Sequence, residues 1–128
     1  MDQMEKLDLL KAALAVAAAD GTIRRSELGV ARVLAERLGV GEASFDAMVE
    51  LAEEDDSIAD NILIKEPAKA NTALELLVAE ARIDGEISRA ERALLVRIAR
   101  SLKIDDQDFP VIYQAGIRRA DRIRETRR

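Results

Sequence analysis

Apolar residues return every three or four positions along almost the whole chain, and no stretch alternates in the manner of a strand. Leu7, Leu10, Leu14 and Ala17 form one stripe, which ends at Asp20-Gly21. Val30, Leu34 and Leu38 form a second, closed by Gly39, a residue suited to the left-handed position that ends many helices. Phe45, Met48, Val49 and Ala52 form a third, which runs into Glu53-Glu54-Asp55-Asp56. A short fourth helix is predicted around Ile58 and Ile62. Pro67 suits the first turn of a fifth, whose face is Leu74, Leu77, Val78 and Ala81. Leu94, Leu95, Ile98 and Leu102 mark a sixth. A seventh, beginning near Asp106, tolerates Pro110 early and buries Phe109, Ile112 and Tyr113. No Ser/Gly/Pro-rich linker divides the chain, so the pattern predicts one all-α domain over residues 1–128, of about seven helices.

The pattern is written twice. Asp20-Gly21-Thr22-Ile23-Arg24-Arg25-Ser26-Glu27 and Asp84-Gly85-Glu86-Ile87-Ser88-Arg89-Ala90-Glu91 share the phrase Asp-Gly-x-Ile-x-x-x-Glu at an offset of 64 residues. At that offset 11 of the 36 pairs from Leu10/Leu74 to Phe45/Phe109 are identical, and conservative pairs such as Val30/Leu94 and Leu34/Ile98 fill the gaps. The period exceeds the roughly 20–50 residues of a solenoid repeat. It predicts a duplicated half-domain, residues 1–64 and 65–128, related by an internal pseudo-two-fold, with Leu34 and Ile98 in equivalent buried positions.

The phrase has a purely structural use. Gly21 and Gly85 would end one helix with positive φ, and Ser88 with Glu91 spells a capping box for the next. In the first copy Arg24 stands where Ser88 does, so that box is half-broken. Asp20 and Asp84 fit capping less well, because an aspartate at the end of a helix faces the negative pole of its dipole. Either could accept N–H bonds from the following turn, or bind a cation. The phrase also matches the second half of a calcium-binding EF-hand loop, but the first and third ligand places would be Val16 and Ala18 in one copy and Glu80 and Arg82 in the other. That argues against a true EF-hand. What remains is a half-site in each copy, and a two-fold would gather Asp20, Glu27, Asp84 and Glu91 into one candidate metal cluster.

With no Cys and no His among its 128 residues, the chain has no thiolate or imidazole chemistry, so any metal would be a hard cation of the Ca²⁺ or Mg²⁺ class on oxygen ligands. The first residues lack a signal-peptide pattern, and no apolar run approaches the roughly 18 residues of a membrane span. The expectation is a cytoplasmic protein with no membrane span. Net charge is −5, with eight carboxylates and no Lys or Arg from Glu42 to Asp60, and six arginines from Arg118 to Arg128. Such blocks are ordinarily solvated faces; they also suit docking, including self-association into a homo-oligomer. A nucleic-acid role is disfavoured by the net charge and by the lack of aromatics among the terminal arginines.

Ala-Asp-Gly-x-Ile-x-x-x-Glu closing an alanine-rich first helix, echoed in the second half, resembles the tellurite-resistance TerB-like domain family over roughly Leu7 to Tyr113. The resemblance implies an all-α fold with internal pseudo-symmetry, an acidic metal-binding cluster at Asp20, Glu27, Asp84 and Glu91, and a stress-linked binding role. Arg24, and Ile83 in place of the alanine before the second Asp, depart from that family's pattern. Two functional expectations follow. One is a non-enzymatic module that binds a divalent metal through its paired corners in a stress-response setting. The other is a ligand-free scaffold or adaptor that contacts protein partners. No nucleophile, base and orienting group assemble in the sequence, so no catalytic residue is assigned. Direct reduction of a tellurium oxyanion would call for soft or redox-active groups that a chain without Cys does not supply.

Overall fold

The computed structural model describes residues 1–21, 23–83 and 85–126. Among them are six α-helices and no strand: α1 (Gln3–Ala17), α2 (Arg25–Arg37), α3 (Glu42–Glu54), α4 (Pro67–Ile83), α5 (Arg89–Ser101) and α6 (Phe109–Thr126). The expected fourth helix is only a 3-10 turn at Ser57–Asp60, so the α-helices number six rather than seven. Short polar side chains explain why it stops there. Asp55 accepts the Ser57 N–H at 2.8 Å, and the Asn61 amide donates to the Ser57 carbonyl at 2.7 Å, so both ends are tied by local bonds that compete with helix extension. None of the described helices is long and apolar enough to cross a membrane.

α1 is the axis of the domain. Asp2 and Glu5 cap it reciprocally, each carboxylate accepting the other's backbone N–H at 2.8–2.9 Å. From there Leu10 and every residue from Ala12 to Val16 is buried, because α2, α3, α4, α5 and the 3-10 turn all pack around this helix. α4 pairs chiefly with α6, and at Gly116 the two helices are so close that a Cβ would meet Val78 and the Glu75 carbonyl. Two apolar clusters result. The larger joins α1, α4, α5 and the first turns of α6; the smaller joins Leu10 and Leu14 to Ala31, Ala35 and Phe45.

Local structure repeats at the offset seen in the sequence. The Val40 N–H donates to Ala35 O at 2.9 Å, and the Ile104 N–H donates to Ala99 O at 2.9 Å, the wide bond of a Schellman motif. The residue before each is left-handed: Gly39 at φ 77° and Lys103 at φ 60°. Lysine tolerates that conformation at a cost glycine avoids.

Burial does not repeat. Ile98 and Leu94 are 0% and 4% exposed, whereas Leu34 and Val30 are 38% and 40% exposed. The expected equivalence of Leu34 and Ile98 as buried positions is therefore wrong. α5 is enclosed by α1, α4 and the 3-10 turn, while α2 has α1 as its main neighbour, which leaves part of its apolar stripe uncovered.

Candidate functional site

The two corners between helices carry the repeated phrase. α1 ends at Ala17, so Asp20 lies beyond the helix rather than in its last turn. The Gly21 N–H closes on Ala18 O at 2.8 Å, and the Gly85 N–H closes on Arg82 O at 3.0 Å; both glycines have positive φ, 114° and 143°.

Both glutamates act as helix caps. Glu91, 6% exposed, accepts the Ser88 N–H on Oε1 at 2.9 Å, while Ser88 Oγ accepts the Glu91 N–H at 3.1 Å. Glu27, 9% exposed, accepts the Arg24 N–H on Oε1 at 3.3 Å, with the Arg24 guanidinium Nε at 3.9 Å. The return bond is missing because a guanidinium has no acceptor atom. Each carboxylate thus sits among the unpaired N–H groups at the positive end of a helix dipole, where a negative charge is stabilised.

The corners also touch. Ser88 Oγ donates to Asp20 Oδ1 at 3.0 Å, across 68 residues of sequence. That hydroxyl uses its proton on Asp20 and a lone pair on the Glu91 N–H, so it is a cap and a cross-link rather than an activated nucleophile. The structure therefore brings Asp20 to the second corner and seats Glu27 and Glu91 at helix starts. Asp84, the fourth expected ligand, lies outside the described residues. Among the described residues no three carboxylates gather where they could hold a metal ion.

A cleft of about 530 Å³ opens beside this junction, floored by alanines of α1 and α5 and lipped by Glu53, Glu54 and Asp55. Arg97 closes one side. Its guanidinium binds Asp56 Oδ2 at 2.8 Å and Asp60 Oδ2 at 2.6 Å, clamping the 3-10 turn onto α5. The Arg97 bond holds the Asp60 carboxyl below the usual carboxylate range, and the hydrogen bonds the guanidinium donates to Asp60 and then Asp56 push its own value further up. Asp55 is lowered as well, by the Ser57 N–H. Part of the acidic run is thus internally matched.

A second concavity, about 470 Å³, lies on the far side of α1, between α2 and the α4–α6 pair. Val30, Leu34 and Leu38 wall one side; Leu76, Ile83 and Ile123 wall the other. Neither Arg97 nor this groove was foreseen from the sequence. An acidic run without bases asks for a cation from elsewhere, and that was the available signal for Arg97. Val30 and Leu34 carry no such signal, since an exposed stripe and a buried one read alike.

No family model matches the chain, and no curated protein or solved structure matches it either.

Proposed function

We propose that this chain is a non-enzymatic, ligand-free helical adaptor that works through protein contacts, with the repeated corners serving as structural caps and as the link between halves. One observation carries the reading: Glu27 and Glu91 each spend a carboxylate oxygen on a helix N-terminus, and Asp20 spends one on Ser88, at the places where a metal-binding reading needs free ligands. The resemblance to TerB-like domains supports the same role in its broad form, a stress-linked cytoplasmic binding module built from two related halves.

The competing reading is a Ca²⁺- or Mg²⁺-class cation held by Asp20, Glu27, Asp84 and Glu91. It draws support from the Asp20–Ser88 bond, which brings a carboxylate of one corner onto the other. It requires each glutamate either to offer the cation its second carboxylate oxygen or to turn away from the N–H group it now satisfies.

Calorimetric titration of the chain with Ca²⁺, Mg²⁺ and Mn²⁺, with thermal melts alongside, separates the two. The adaptor reading predicts no heat and no stabilisation, whereas a bound ion would raise the melting temperature by mass action. It also predicts that Ser88→Ala costs about 0.5–2 kcal/mol, the usual loss for an N-cap. A saturable cation response abolished by Asp20→Asn/Asp84→Asn would overturn it.

A further inference from the structure

The groove between α2 and the α4–α6 pair is an apolar feature of the described surface to which the fold gives no occupant. Its wall along α2 and its C-cap runs from Val30 to Leu38, nine residues, or about 12 Å. The facing wall on α4, Leu76 to Ile83, is similar in length at about 10 Å. A groove two turns long admits three side chains from one face of a helix, at i, i+4 and i+7. Apolar exposure continues past its edge at Val33, which is 50% exposed, so the uncovered area exceeds what a small ligand would fill.

Charge at the rim narrows the occupant. Lys6, Arg37 and Arg119 stand around the groove against one carboxylate, Glu80, on a chain whose net charge is −5. Arg119 is already paired with Glu75 at 2.8 Å, but neither Lys6 nor Arg37 has an ion-pair partner among the described residues. An acidic partner would be steered toward this face and oriented on it. The acidic α3 of a second copy is the nearest candidate to hand, and it fits poorly. Leu51 is its one large exposed aliphatic side chain, where the groove has room for three.

We propose that the groove seats an amphipathic helix of a partner protein, with large aliphatic residues at i, i+4 and i+7 and carboxylates on both flanks. The proposal rests on the adaptor reading and gives it a site. Leu34 at the centre supplies the apolar contact, and Arg37 and Lys6 select acidic flanks.

The test uses two synthetic stapled helices of about 14 residues, long enough to exceed the groove by a turn at each end. Both carry Leu at i, i+4 and i+7; one has Glu at the flanking positions and the other Lys. Each is titrated into the isotope-labelled full chain and followed by amide NMR shifts. The Glu peptide should bind in the micromolar range, with shifts confined to Val30, Leu34, Ile83, Ile123 and their neighbours. The Lys peptide should bind about tenfold more weakly or less well still. Leu34→Glu should lose binding, and Arg37→Glu, a rim change expected to fold normally, should reverse the preference between peptides.

Equal affinity for both peptides, shifts elsewhere, or no shifts at millimolar peptide would overturn the proposal. Concentration-dependent sedimentation abolished by Leu34→Glu would overturn it in favour of a second copy. A silent peptide titration beside a flat metal titration removes the groove and leaves the adaptor reading standing. A cation response overturns the adaptor reading whatever the peptides do.

Discussion

Replacing glycine by alanine at two helical positions should have opposite effects, because one side chain would enter solvent and the other would enter the α4–α6 crossing. Alanine is favoured over glycine in a helix interior by about 0.5–1 kcal/mol. At Gly29, in α2, an added Cβ meets nothing within 4 Å, so Gly29→Ala should gain that amount and melt a few degrees higher. At Gly116 the same atom would lie 2.6 Å from Val78 Cβ and Cγ1 and 2.8 Å from Glu75 O. Carbon atoms in van der Waals contact sit about 3.5–4.0 Å apart, so the overlap is about 1 Å. Two of the three atoms, a Cβ and a backbone carbonyl, cannot rotate away, and the helices must separate. Overpacking of that kind costs about 1–3 kcal/mol, which outweighs the propensity gain and leaves Gly116→Ala less stable by about 1–2 kcal/mol. Trimming Val78 to alanine removes only Cγ1 of the three close atoms, so the penalty should persist in a Val78→Ala background. Urea unfolding followed by circular dichroism compares these four variants with the wild-type chain. Equal stabilisation at both glycines would show that α6 does not cross α4 as described. It would also undo the groove wall, since Arg119 and Ile123 continue the face on which Gly116 lies.

Other substitutions test other parts of the account. Ile98→Ala should cost about 2–5 kcal/mol, while Leu34→Ala, at a position 38% exposed, should cost less than about 1.5 kcal/mol by the same denaturation assay. Lys103→Gly should stabilise the chain by about 1 kcal/mol, because glycine relieves a left-handed backbone at φ 60°. The bond from Arg97 lowers the folded-state pKa of Asp60 below its unfolded value, so its stabilisation is present above about pH 4 and lost as pH falls through the lowered value. Arg97→Gln should therefore lower stability above about pH 4, flatten the acid limb of a stability-versus-pH curve, and leave stability unchanged below the lowered Asp60 value.

The elements were legible in the sequence because each is announced locally. Pro67 opens α4, Gly39 closes α2, and Ser88 with Glu91 caps α5; each signal needs only its own neighbours along the chain. The failures concern relations between elements. Leu34 and Ile98 have the same helical context, and what separates them is that α5 is enclosed by three elements while α2 leans mainly on one. Asp20 was legible as a residue that capping did not explain, but its partner, Ser88, lies on another helix start 68 residues away. Ile58 and Ile62 fit a helical stripe and so predict a fourth helix, whereas the bonds of Asp55 and Asn61 halt it within one turn. Periodicity reports which face a helix would bury, and packing decides whether anything arrives to cover it.

The central claim, that the repeated glutamates hold helix starts rather than a cation, is tested most directly by exchanging them for glutamine. A glutamine at the third helical position still presents an oxygen to the capping N–H, but it lacks the charge that a hard cation requires. Thermal melts of the wild-type chain and of Glu27→Gln/Glu91→Gln, each with and without millimolar Ca²⁺, Mg²⁺ and Mn²⁺, form a single experiment. The account predicts that no cation shifts either protein, and that the double variant is destabilised by no more than about 1 kcal/mol per site, the scale of the lost charge–dipole attraction. A wild-type melt that rises with one of these ions, in a response the glutamine variant lacks, would contradict it.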